Sequence, residues 1–163
     1  MAMRREANGV GPARRGRETD FSLGGSVGYL VRDANRAFQR LLEKRIARHG
    51  VSRGQWYFLR VLWAEDGLSQ RELSARVGMM EPTTVIALRG MEKAGLVHRK
   101  RSATDKRVTK VYLTAKSRRL RDRLLKISHG LNDTSIEGLS AADIARFRRI
   151  VIQMTENLDR FDD

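Results

Sequence analysis

A chain of 163 residues corresponds to one domain, or one domain with extensions, and 40% hydrophobic residues suffice for a core, which excludes a wholly disordered chain. Lys and Arg number 33 against 19 Asp and Glu, and the resulting charge of +14 points to a polyanionic partner, nucleic acid or an acidic membrane surface. With no cysteine, disulfides, zinc ribbons, thiolate nucleophiles and thiol redox sensing are excluded, and two prolines leave helices few breakers.

Residues 1–20 hold five Arg among scattered Gly and Pro and no apolar run, so they read as a mobile basic arm and not a secretory signal. No apolar run approaches the ~18 residues of a membrane span, and a cytoplasmic protein is expected. Over 21–49, Val27, Val31, Ala34, Phe38 and Leu41 recur at helical spacing, with Arg32, Arg36, Arg40 and Lys44 along another side. Gly50 is the expected stop. Ser52 then caps a second helix running to about Glu65, with Phe58, Leu59 and Leu62 inward. Trp56, Leu59 and Trp63 form another stripe on it, as expected of a helix buried on two sides.

Ser69-Gln70-Arg71-Glu72 fits a capping box, in which the Ser hydroxyl and the Glu carboxylate each accept from the other's backbone N–H. Leu73 and Val77 face inward on this short helix, and Gly78 ends it. A further helix begins near Glu81, with Pro82 suited to the first helical position. Helix, Gly-containing turn, helix is a helix-turn-helix pattern. On the second of the two, Thr84, Ala87, Leu88 and Met91 follow the spacing of an inward face. The opposite side presents Pro82, Thr83, Ile86, Arg89 and Lys93, flanked by Val85 and Gly90. That small, apolar surface suits thymine methyls and close approach to a backbone, and Arg89 suits guanine or phosphate.

Gly95 ends this helix. Strands are predicted over 96–101 and 107–113, with a turn over 102–106 between them. A basic hairpin after a recognition helix is a wing, and Arg101, Lys106 and Arg107 at its tip suit phosphates or a narrow minor groove. Beyond it, Leu120, Leu124, Ile127 and Leu131 mark one helix. Ser140 caps another, with Asp143 in its first turn and Ile144, Phe147, Val151, Met154, Leu158 and Phe161 along one stripe. Helical stripes at both ends of the chain exceed what a small central domain can cover. A homodimer is expected, with an intramolecular three-helix bundle as the alternative.

The charge is concentrated. Residues 89–126 hold fourteen Lys and Arg against Glu92, Asp105 and Asp122, a net of +11 that begins on the recognition helix and crosses the wing. A solvated helix face is the ordinary reading of a charge run. The coincidence with a recognition device favours nucleic acid.

Residues from about 26 to 160 resemble the MarR (multiple-antibiotic-resistance regulator) family of winged helix-turn-helix proteins. The matching pieces are Gln55 with Leu59 and Leu62; Leu68-Ser69-Gln70-Arg71-Glu72-Leu73; Met91-Glu92-Lys93-Ala94-Gly95-Leu96-Val97; and Asp105-Lys106-Arg107 leading to Leu113-Thr114. Met91 stands where the family usually has Leu, a volume-conserving change. The resemblance implies an intertwined dimer on a pseudo-palindrome, one recognition helix per major groove and each wing at a minor groove. By position it implies Thr83 and Ile86 at bases, Arg107 in the minor groove and Asp105 holding the wing tip. It also implies repression relieved by a small molecule, often an aromatic acid or a thioester. Branches that sense oxidants by cysteine or bind zinc by histidine clusters are unsupported, since His49, His98 and His129 are far apart.

The expected fold is mostly α with a small β-wing: a winged helix-turn-helix domain over 51–113 and a helical dimerisation region over 21–50 and 114–163. The candidate DNA-contacting residues are Ser69, Gln70, Arg71, Pro82, Thr83, Ile86, Arg89, Lys93, Arg101, Lys106 and Arg107, with Asp105 structuring the wing. His49, Trp56, Tyr57 and Arg60 are candidates for an effector pocket at the junction of the first, second and fifth helices, although Trp and Tyr on a two-sided helix are more often core. Dimerisation is expected through Val27, Val31, Phe38, Phe147, Val151, Met154 and Leu158. Expected partners are double-stranded DNA, a second copy, and an anionic aromatic or acyl-CoA effector, with no membrane, cofactor or metal. No nucleophile elbow, phosphate loop or metal-ligand cluster suggests an enzyme. A basic nucleoid or RNA-binding winged-helix protein without an operator is the alternative.

Overall fold

The structure is a computed structural model that describes residues 25–161; the predicted arm over 1–20 lies outside them. In chain order come α1 (Val27–Ile46), a 3-10 turn (Ala47–His49), α2 (Arg53–Ala64), β1 (Leu68–Ser69), α3 (Gln70–Val77), α4 (Glu81–Lys93), β2 (Val97–Arg101), β3 (Thr109–Leu113), α5 (Ala115–Ser135) and α6 (Ala141–Asp159). The chain divides into two units, Met1–Arg36 and Ala37–Asp163, with the boundary inside α1. In the first unit the described part is the start of α1, where Val27, Leu30 and Val31 are exposed and the Arg32 guanidinium lies 4.6 Å from the centre of the Tyr29 ring.

The core of the second unit joins Phe58, Leu59 and Leu62 of α2, Leu73 of α3, Leu88 and Met91 of α4, Val111 of β3 and Leu124 of α5, all buried. Removing one such side chain from water stabilises the fold by about 1.5–3 kcal/mol. Trp63 sits at its edge, donating its indole N–H to the Ser117 carbonyl at 3.1 Å and meeting Trp56 edge-on at 5.9 Å.

The inward stripe of α1 differs from the expected one. Leu42 and Ile46 are buried with Phe38 packed against the same core, whereas Leu41 is 45% exposed. One residue along a helix is a rotation of about 100°, so Leu41 and Leu42 cannot share a face. Phe38 is half-buried and packs against the core of its own chain. At the other end, α6 starts as expected, with the Ser140 hydroxyl accepting from the Asp143 N–H at 3.1 Å. It buries none of its residues, and Phe147, Ile150 and Leu158 are exposed.

The sheet has the order β1-β3-β2, antiparallel throughout, with Leu68 opposite Val111 and Val97 opposite Leu113. The two-residue β1 was not anticipated; it is too short for a period-two signal. Gly67 precedes it with φ +77°, and a Cβ there would stand 2.7 Å from the Tyr112 ring, so a side chain would be strained in its backbone and would have to displace the ring. The wing strands begin later than expected: Leu96 precedes β2, and Arg107 and Val108 precede β3.

Candidate nucleic-acid interface

The helix-turn-helix is built by local chemistry that its sequence announced. Ser69 and Glu72 form the reciprocal box: the Glu72 N–H donates to the Ser69 hydroxyl at 3.2 Å, and the Ser69 N–H donates to the Glu72 carboxylate at 2.8 Å. The Ser69 backbone N–H, and then the Ser69 hydroxyl, hold the Glu72 carboxyl below its ordinary range. Gly78 takes the left-handed conformation, φ +70°, that turns the chain out of α3. The Ser74 hydroxyl donates to the Met79 carbonyl inside the turn. Met80 is the N-cap of α4, which makes Pro82 its second helical residue and not its first.

Thr84, Leu88 and Met91 of α4 are buried, and Ala87 is half-buried beside them. Pro82, Ile86, Arg89 and Lys93, at steps of 4, 3 and 4, lie on the opposite side and are exposed, as is Thr83. Ile86 is 70% exposed, and Met80, the N-cap that sequence reasoning passed over, is 77% exposed. Arg71 at the start of α3 is exposed and reaches Glu81 of α4 at 3.9 Å, a long ion pair that leaves it available.

The wing tip is organised around Asp105 and Ser102. Asp105 Oδ1 accepts from the backbone N–H of Arg107 at 2.9 Å and from its Nε at 3.2 Å, while Ser102 and Val108 close the turn through the Ser102 N–H to the Val108 carbonyl at 2.8 Å. The Arg107 amide and then its guanidinium hold the Asp105 carboxyl below its ordinary value. The Arg107 side chain remains 92% exposed, and Arg101 and Lys106 are exposed nearby in sequence.

A profile of the MarR family matches residues 49–108. The HTH-type transcriptional regulator TtmR of Methylorubrum extorquens (strain PA1) is 32% identical over 117 residues, 72% of this chain and 60% of TtmR; the chain thus spans about three-fifths of that relative's length. A MarR transcriptional regulator from Methanosarcina mazei Go1 superposes with a TM-score of 0.75 at 27% identity, over 83% of this chain and 97% of that one. The repressor CouR, solved bound to a 23-mer DNA duplex, gives a TM-score of 0.75 at 25% identity, over 82% and 94%. The chain belongs to the MarR family. Its winged helix and surrounding helices are those of that family's fold.

Two ties in this MarR-family chain have no local sequence signal. Arg99 of β2 donates from Nε to Glu92 of α4 at 2.9 Å and from Nη1 to the Gln70 side-chain carbonyl at 3.1 Å, so Gln70 is held within the protein at its oxygen end. The Arg99 guanidinium depresses the Glu92 carboxyl against the opposing effect of partial burial. Lys116 Nζ donates to the Ala94 carbonyl at 2.8 Å, placing a cation at the C-terminal end of α4, where the helix dipole favours it.

Trp56, Tyr57 and Arg60 of α2 line a cleft of about 290 Å³, together with Val61, Arg76 and Val77. It opens between α2 and the end of α3, and His49 is not among its lining residues. Arg60 lies 5.5 Å from the Trp56 ring centre, Arg76 pairs with Glu65 at 2.6 Å, and the Tyr57 hydroxyl accepts from Gln39. Among the described residues no group of His and carboxylates could hold a metal ion, and no helix is long and apolar enough to cross a membrane.

Proposed function

We propose that this MarR-family chain is a dimeric, sequence-specific DNA-binding transcription regulator, a repressor released from a pseudo-palindromic operator by a small aromatic acid. The observation that carries the reading is the outward side of α4. It offers Pro82, Thr83 and Ile86 beside Arg89 and Lys93, directly opposite the buried row, where a merely solvated helix would offer Glu, Lys or Gln. Ile86 and Thr83 supply apolar contact with thymine methyls, and Arg89 supplies bidentate donors for guanine or phosphate. Arg71, Lys93, Arg101, Lys106 and Arg107 supply phosphate contacts, Arg107 from a tip that Asp105 keeps in shape. The DNA-bound relative supports this use of the fold.

Val27 and Val31 at the start of α1, and the row Phe147, Val151, Met154 and Leu158 on α6, are the apolar positions that a second copy would cover. Two copies bring a formal +28 to one duplex.

The α2–α3 cleft is the proposed effector site. Its volume of about 290 Å³ is at the lower end of small-molecule pockets, which favours a single-ring acid over a whole acyl-CoA thioester. Arg60 and Arg76 offer the carboxylate partners and Trp56 and Tyr57 the ring contacts. Sequencing duplex fragments retained by the purified protein tests the central reading: one enriched two-fold site supports it. Equal retention of all duplexes favours a nucleoid-type protein instead. Calorimetry with phenolic acids and acyl thioesters tests the effector; no heat from either class removes it.

A further inference from the structure

The cations of the candidate interface are of two kinds. Arg107 is 92% exposed, and Arg89, Arg101 and Lys106 are exposed too, as cations that await phosphates must be. Arg99 is turned inward, its side chain 25% exposed against a Glu92 that is 31% exposed. Its Nη2 stands 2.6 Å and its Nε 2.9 Å from Glu92 Oε2, its backbone N–H donates to Glu92 Oε1 at 3.1 Å, and its Nη1 donates to Gln70 Oε1 at 3.1 Å. One side chain of β2 thus holds the last turn of α4 and the first residue of α3 together.

We propose that Arg99 is a positioning residue of the DNA-binding surface: it fixes the wing root to the end of the recognition helix and orients the Gln70 amide, and it does not itself touch DNA. The proposal rests on the DNA-binding reading above.

The leverage is geometric. At about 3.3 Å per residue the wing tip stands on the order of 10 Å beyond Arg99, so a tilt of about 10° at the root displaces Arg107 by about 2 Å. That displacement separates a minor-groove contact from none. A planar guanidinium with fixed forks resists such tilting better than a single ammonium does. Arg99 has only donors to offer, so it takes the oxygen of the Gln70 amide and leaves the NH₂ end for an acceptor on the DNA.

The test compares Arg99→Ala and Arg99→Lys with Arg107→Ala in the full chain. Two quantities are read: ¹⁵N relaxation of the wing amides in the free protein, and affinity for the selected duplex and a scrambled duplex over a range of salt. Arg99→Ala is expected to mobilise the wing and to lose about tenfold in the ratio of specific to non-specific affinity, with the salt slope unchanged. Arg99→Lys falls between it and the wild type. Arg107→Ala lowers the slope by about one. A slope that falls equally for Arg99→Ala makes Arg99 a phosphate contact and overturns the proposal, as does an unchanged wing with an unchanged ratio. Should Arg99→Ala fail to fold, Glu92→Gln, which keeps an acceptor and loses the charge, must show the same direction of change; its absence overturns the proposal equally. If the wild type selects no sequence, the DNA-binding reading fails, while the wing relaxation of Arg99→Ala still decides whether Arg99 holds the wing.

Discussion

Asp66 Oδ2 lies 2.6 Å from Arg118 Nη2, and Oδ1 of the same carboxylate accepts from the Leu113 N–H at 2.9 Å. A single side chain in the loop before β1 thus joins the end of the wing to the first turns of α5. Removing it leaves the Leu113 amide without its acceptor, whereas the ion pair to the half-exposed Arg118 contributes little. Asp66→Ala is expected to cost about 1–3 kcal/mol in urea unfolding and Asp66→Asn under about 1 kcal/mol. Equal losses for the two variants would place the stabilisation in the charge.

Thr84 faces the core of the winged helix, and its hydroxyl is buried with no hydrogen-bond partner. A buried hydroxyl without a partner costs on the order of 1 kcal/mol or more. Thr84→Val keeps the branched shape and is expected to raise Tm by about 2–4 °C for a chain of this size. DNA affinity should not change. A lower Tm would show that the hydroxyl has an acceptor.

Much of this arrangement was legible in the sequence because its signals are local. Ser69 with Glu72, Ser140 with Asp143, and Gly78 at the end of α3 act on backbone groups within a few residues, so spacing alone identifies them. The core rows of α2 and α4 also follow from period. What spacing could not decide was register within an apolar run: Leu41 and Leu42 are chemically equal and only tertiary packing chooses Leu42. Nor could it find pairings across the chain. Arg99 meets Gln70 29 residues away and Asp66 meets Arg118 52 away, and neither leaves a pattern. The cleft was half legible: α2 contributes Trp56, Tyr57 and Arg60, but Arg76 and Val77 enter only once α3 is placed beside it, and His49 does not line it.

Glu72, Glu92 and Asp105 are each held below their ordinary values of 4.5, 4.5 and 3.8 by hydrogen bonds to Ser69, Arg99 and Arg107. Below those values the unfolded chain binds more protons than the folded one, so stability rises with pH there. It is complete above about pH 5 and is lost as pH falls through the depressed folded values. Thermal unfolding followed from pH 7 downward should show that decline, and Glu92→Gln should make it shallower. An identical decline in Glu92→Gln would mean that its carboxylate has the same pKa folded and unfolded.

Arg107 projects from a tip that Asp105 shapes through its backbone amide. Arg107→Ala is expected to weaken binding to all duplexes and to lower the slope of log K against log salt by about one. Asp105→Ala keeps every cation and should lose affinity with little change of slope. An unchanged affinity in both variants would take the wing off the DNA.

In the proposed regulator the row Pro82, Ile86, Arg89 and Lys93 of α4 reads sequence, once in each of two copies. Footprinting on the selected duplex tests it most directly. A protected two-fold site of roughly two helical turns is expected, its half-sites about one turn apart. Ile86→Ala is expected to relax the preference within each half-site. Protection that spreads evenly over any duplex, with Ile86→Ala indistinguishable from the wild type, would contradict it.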